Sequence, residues 1–210
     1  MVALLIPAAA RADGDPASDV LLTDTVYLPY TPPSAAVTRD LRGVIASARS
    51  AGTPLRVAVI AARRDLGAVP DYYARPGEYA RFLAGELGAL NQFQHPTARG
   101  TQPERDPLIV VMPAGFGTSG FPPGADAQLR DIDLSGDVSP DGLAKAAGFA
   151  VQELAKKSGH PIAAVFKRPP GSGGGGGSAL VPLLVGLGLL VLAVVAVFFR
   201  LRAQSPGGNT

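Results

Sequence analysis

Oxygen-bearing side chains recur at every second position in the run Asp131-Ile-Asp133-Leu-Ser135-Gly136-Asp137-Val138-Ser139. A calcium loop of the EF-hand type places its donors in this way, at the first, third, fifth, seventh and ninth positions around a glycine at the sixth. Asp131, Asp133, Ser135 and Asp137 are therefore candidate ligands for calcium. A cation held there would also supply the Lewis acid of a weak metal-assisted phosphatase. The twelfth position, where a bidentate carboxylate belongs, is Gly142, with Asp141 beside it. A structural use of the same residues is the preferred alternative: Asp131 and Asp133 flank a strand end, while Ser139 and Asp141 cap a helix and complement its dipole.

Other chemistry is less well supplied. Gly115-Phe-Gly117-Thr-Ser-Gly120 has the letters of a dinucleotide fingerprint, but a helix must follow at once to bring N–H groups to the pyrophosphate. Phe121-Pro-Pro-Gly124 follows instead, so the expectation is a loop at the carboxyl end of a strand. The two histidines, His95 and His160, each precede a proline in segments that read as loops, and no G-x-S-x-G elbow is present. Ser119 lacks an identifiable base and reads as a turn residue. Asp71-Tyr72-Tyr73 is either an exposed aromatic contact or two rings packed under a loop, and the packed arrangement is preferred.

The elements that must position these residues follow from periodicity. Residues 13–19 read as a polar tail, and a strand is expected within residues 20–30. From Ser34, a plausible N-cap, Val37, Leu41, Val44, Ile45 and Ala48 recur at helical spacing until Gly52. Residues 55–61 form a short β-branched run, read as a buried strand. A helix starts near Pro76 with Tyr79, Phe82, Leu83 and Leu87 on one face, and residues 91–106 read as a loop. Residues 108–112 are the strongest strand, followed by a glycine- and proline-rich loop over 113–124. A short strand is expected over 128–134. Ser139 and Pro140 open a helix with Leu143, Ala146, Ala147, Ala150, Val151 and Leu154 inward, and 162–166 reads as a last strand. Alternating strands and helices predict an α/β fold, a three-layer α/β/α sandwich around a central sheet.

Residues 179–199 contain no charged or strongly polar side chain. As a helix this run is about 31 Å long, the thickness of a bilayer's hydrocarbon core. One C-terminal transmembrane helix is expected, and with it membrane localisation. The apolar opening of the chain ends in Ala10-Arg11-Ala12, the small-residue pattern of a signal-peptidase site, although no basic residue precedes it. Residues 1–12 thus read as a signal peptide, 13–168 as an extracytoplasmic domain, 169–178 as a Pro/Gly/Ser linker and 200–210 as a cytoplasmic tail. The eight linker residues from Gly171 have a mean span of about 16 Å. Arg200 and Arg202 beside the span favour this orientation, although Lys167 and Arg168 lie near its other end. Without the signal peptide, the same sequence would be a tail-anchored adaptor facing the cytosol.

Composition narrows the partners. With no cysteine, the chain has no disulfide, no thiolate metal site and no thiol nucleophile. All 17 acidic residues lie between Asp13 and Arg168, whereas Arg11, Arg200 and Arg202 of the 19 basic residues lie outside, leaving the domain one unit negative. No basic stripe remains for a phosphate backbone, and five tyrosines without tryptophan give few stacking platforms, so no nucleic-acid partner is expected. A protein partner is.

A helix, the strand Arg56-Val-Ala-Val-Ile60, Asp65-Leu-Gly67, a helix with Tyr79-Ala80, the strand Leu108-Ile-Val-Val111, Gly115-Phe-Gly117 and a helix before a membrane span occur in that order. Over residues 40–158 this order resembles the TPM domain family, which includes thylakoid-lumen proteins linked to photosystem repair and bacterial exported, membrane-anchored proteins. The resemblance implies an α/β/α sandwich outside the cytoplasm, and some relatives are associated with calcium binding or phosphatase activity. Little or no hairpin separates the apolar strand from Gly115-Phe-Gly117 in this reading, and the resemblance assigns no catalytic residue. The expected function is that of a single-span membrane protein whose domain binds a partner or supports an envelope assembly.

Overall fold

A computed structural model describes residues 14–94, 106–124 and 127–169, all within one unit of the chain, Met1–Gly173. The signal-peptide, membrane-span and tail segments, the linker beyond Pro169 and His95 lie outside the described residues. Among the described residues, no helix is long and apolar enough to cross a membrane.

The elements run α1 (Pro16–Leu21), β1 (Val26–Tyr27), α2 (Ala35–Ser50), β2 (Arg56–Val59), α3 (Pro76–Gln94), β3 (Leu108–Met112), β4 (Gly115–Ser119), α4 (Ala127–Arg130) and α5 (Pro140–Lys157). The strands form one mixed four-stranded sheet, an α/β arrangement, in the order β1-β2-β3-β4. The first three are parallel; β4 returns antiparallel, with Val110 opposite Gly117.

The pleat sorts the core into two halves. Val57, Val59, Ile109 and Val111 face the apolar stripes of α2 and α5. Ala58, Ile60, Leu108, Val110 and Met112 face Leu21 of α1 and Tyr79 and Leu83 of α3. All five residues of β3 are buried, which explains its unbroken apolar run. The path from β1 to β2 crosses one face through α2, and that from β2 to β3 crosses the other through α3. Both steps move the same way along the sheet, so the two crossovers have opposite hands, and one departs from the usual right-handed rule.

Several expectations are corrected. Part of the supposed N-terminal tail is α1, started by Asp15 as N-cap and Pro16 at the first turn; Ala17 and Leu21 are fully buried. The strand expected over 20–30 shortens to Val26–Tyr27, and α3 continues to Gln94 into the supposed loop. The 113–124 loop contains β4, a strand without an apolar signal because its pairing to β3 and its packing under α3 define it. Residues 128–134 are not a strand. The turn α4 comes first, and the alternation of buried Ile132 and Leu134 with exposed Asp133 belongs to irregular chain. Residues 162–166 are likewise irregular, and Ser34 does not cap α2 through its side chain. Its N–H and hydroxyl both donate to the Asp141 carboxylate, tying the start of α2 to the start of α5.

Candidate functional site

Parallel α/β sheets present their loops at the carboxyl ends of the strands, and here β3 ends in a two-residue turn, Pro113-Ala114, that leads directly into β4. A cavity of about 480 Å³ opens between this hairpin and the segment after α4, lined by Pro113, Phe116, Arg130, Asp131, Asp133 and Ser135 among others. Buried Leu129, Ile132 and Leu134 fix that segment to the core, and the intervening Asp131 and Asp133 are thereby exposed.

The glycines of Gly115-Phe-Gly117-Thr-Ser-Gly120 serve the hairpin. Gly115 has a φ of +128°, a conformation that L side chains rarely adopt. At Gly117 a side chain would run into the Pro76 backbone at the start of α3. The strand thus passes directly beneath that helix end. Ser119 is a strand residue opposite Leu108, and the nearest following helix begins only at Ala127.

The acidic run is divided between two places. Asp131, Asp133 and Ser135 line the hairpin cleft, whereas Asp137 borders a second groove of about 380 Å³ with Val37, Val165 and Phe166. The Asp133 carboxylate accepts from the Ser135 N–H at 2.8 Å and the Ser135 hydroxyl at 2.9 Å, and these bonds hold its pKa below the usual value. Asp137 Oδ1 accepts from the N–H and hydroxyl of Ser139, and Ser139 Oγ accepts from the Gly142 N–H, capping α5. Ser34 likewise lowers the pKa of Asp141. A side chain at Gly142 would collide with the Asp137 carbonyl and carboxyl, so glycine at the twelfth position of the run fits a packed helix start. Among the described residues, no three His, Asp or Glu side chains converge as a metal ligand set.

His160 belongs to a third cavity, of about 560 Å³, at the amino ends of β2 and β3, where its ring packs against Gly52 and Thr53 and Phe121 also line the wall. Tyr72 stacks on Phe82 with centroids 4.9 Å apart and meets Tyr79 at 5.9 Å, so the Asp71-Tyr72-Tyr73 run places one of its rings in a packed aromatic cluster.

Three buried polar side chains, to which the sequence alone assigned no role, hold the fold together. Asp65 is 1 % exposed; it accepts from the N–H groups of Tyr30, Ala61 and Ala62, joining the ends of β1 and β2. Asp15 accepts from the Tyr79 hydroxyl at 2.6 Å, while its Oδ2 is buried without a partner; burial raises its pKa, and burial also raises that of Tyr79. Gln152 holds the backbone of residues 165 and 166. The pair Asp15-Pro16 was a readable cap signal, whereas nothing local marks Gln152.

In comparisons with models of known protein families, with curated proteins and with solved structures, the chain matches none.

Proposed function

We propose that this chain is a single-span membrane protein whose domain, a three-layer α/β/α sandwich of the TPM-like kind, is held outside the cytoplasm and docks a partner protein. The observation that carries the docking role is the hairpin cleft itself. Its rim bears Arg130, Asp131 and Asp133, charges of both signs, and it is bordered by β4, the half-buried strand at the edge of the sheet among the described residues. An edge strand offers backbone groups to an added strand, and a charged cleft alongside selects which segment is added. The acidic residues of the cleft support recognition better than catalysis, because Asp133 is already engaged by Ser135. The anchored, exported topology rests on the apolar run 179–199 and the Ala10-Arg11-Ala12 pattern. The TPM-like reading rests on the order of elements, with Gly115 and Gly117 directly after the central apolar strand.

Placing a photoreactive residue at position 131 in intact cells tests the docking role. A discrete adduct, weakened when Arg130→Asp reverses the rim charge, is the expected result. Absence of any adduct at 131 from a normally abundant, folded protein would refute docking at the cleft.

A further inference from the structure

The second groove, of about 380 Å³, lies between α2, the start of α5 and the segment that leaves the domain. Val37, Leu134 and Phe166 give it an apolar floor. The Phe166 ring packs against α5 at Gly148, where a side chain would collide with it. Val165, 52 % exposed, stands at this groove, and Val138, 47 % exposed, follows Asp137 on its border. Exposed apolar side chains beside an apolar groove offer the kind of surface that a partner or a membrane covers.

Two features of the chain indicate what covers it. The first is chain length. The groove's last wall residue is Pro169, and only residues 170–178 separate it from the apolar run that begins at Ala179. Fully stretched, that linker reaches about 30 Å, and its mean span is about half of this. On the anchored reading, the groove is the described part of the domain that lies closest along the chain to the span. The second is charge. Lys145, Lys167 and Arg168 border the groove, with Asp40 and Asp137 as opposing charges on its wall and Asp141 close to Lys145. Asp137 is already turned toward Ser139, and the Arg168 guanidinium lies 5.8 Å from the Phe149 ring centre, at the exit side of the groove.

We propose that this groove rests on the bilayer that anchors the chain, with Lys145, Lys167 and Arg168 meeting anionic lipid headgroups and Val138 and Val165 entering the interface. This inference rests on the anchored reading above. Apolar side chains ringed by Lys and Arg bind interfaces by this combination of burial and attraction to anionic lipid.

The absence of cysteine permits a clean test on the full chain. A fluorophore on Val138→Cys is compared with one on Asp71→Cys, whose side chain is 92 % exposed beside the aromatic cluster on the other face of the sheet. Each protein is reconstituted into vesicles of phosphatidylcholine alone, or mixed with phosphatidylglycerol, containing headgroup-quencher lipid. Quenching at 138, only in the anionic vesicles and not at 71, is expected. It should be lost near 1 M salt, where the screening length is about 3 Å. Lys145→Glu and Lys167→Glu, both at exposed positions, should each lower the docked fraction about fivefold or more without moving the melting midpoint. Equal quenching in both vesicle types, none in either, or protection of the 138 label by a second copy or another protein would overturn the proposal. Alkaline carbonate extraction separates the two failures. A chain released from the vesicles defeats the anchored reading, whereas a retained chain without quenching defeats only the groove's role.

Discussion

Gln152 grips Phe166 at both of its backbone polar groups. The Gln152 Oε1 accepts from the Phe166 N–H at 2.8 Å and from the Val165 N–H at 2.7 Å, and its Nε2 donates to the Phe166 carbonyl at 2.8 Å. One side chain thereby performs the pairing that a neighbouring strand would have supplied, and the C-terminal segment is fixed to α5 without joining the sheet. Gln152→Ala removes all three bonds and leaves buried backbone groups unpaired, at a cost of about 2–4 kcal/mol. Urea unfolding of the domain checks this; a loss below about 0.5 kcal/mol would mean that Phe166 is held by packing alone.

The close approach of β4 to the start of α3 makes a sharper demand. Gly117→Ala should destabilise by about 2–3 kcal/mol, because the new methyl meets the Pro76 backbone rather than a movable side chain. Gly43, mid-helix in α2 with open space around it, is the matched control. Gly43→Ala should stabilise by about 0.5–1 kcal/mol. Thermal melting of both variants reads the pair, and equal effects would contradict the packing described.

Asp15 gives the fold an identifiable response to acid. Its pKa is raised above the ordinary 3.8, chiefly by burial, so the folded state binds its proton more tightly than the unfolded state. Its contribution is complete below the unfolded value and is lost as pH rises through the folded one. The exposed Asp133 and Asp141 are shifted the other way, and their contributions fade as pH falls. Asp15→Asn isolates the first effect. The stability of the natural chain relative to this variant should decline as pH rises from the carboxylate range toward neutrality, and a flat difference would show that Asp15 does not titrate in this way.

Calcium provides a direct test of the acidic run. Since Asp133 and Asp137 are engaged by Ser135 and Ser139 and border different cavities, calcium titration is expected to leave the melting midpoint unchanged. A saturable rise would support the cation site and the phosphatase chemistry built on it.

Periodicity made part of this fold legible. The stripes of α2, α3 and α5 and the β-branched runs of β2 and β3 are local patterns, and each appears where the spacing places it. Elements defined by distant partners were not legible. The burial of α1 depends on α3 and on Tyr79, β4 has only its register on β3 to mark it, and residues 162–166 have the apolar content of a strand but bond to Gln152 of α5 instead of joining the sheet. The candidate site was half visible. The alternation from Asp131 to Ser139 reads as one cation loop, but Asp133 and Asp137 each accept from a serine two residues on, which forms two separate turns at different cavities.

Exported display on one C-terminal span is the premise on which the docking roles depend. Adding protease to intact cells that carry a C-terminal tag measures it directly. The expected result is removal of the domain, with a small tagged fragment containing residues 179–199 left in the membrane, and a mature N-terminus near Asp13 in the untreated protein. A full-length chain that resists protease in intact cells and is cut only after lysis would contradict it.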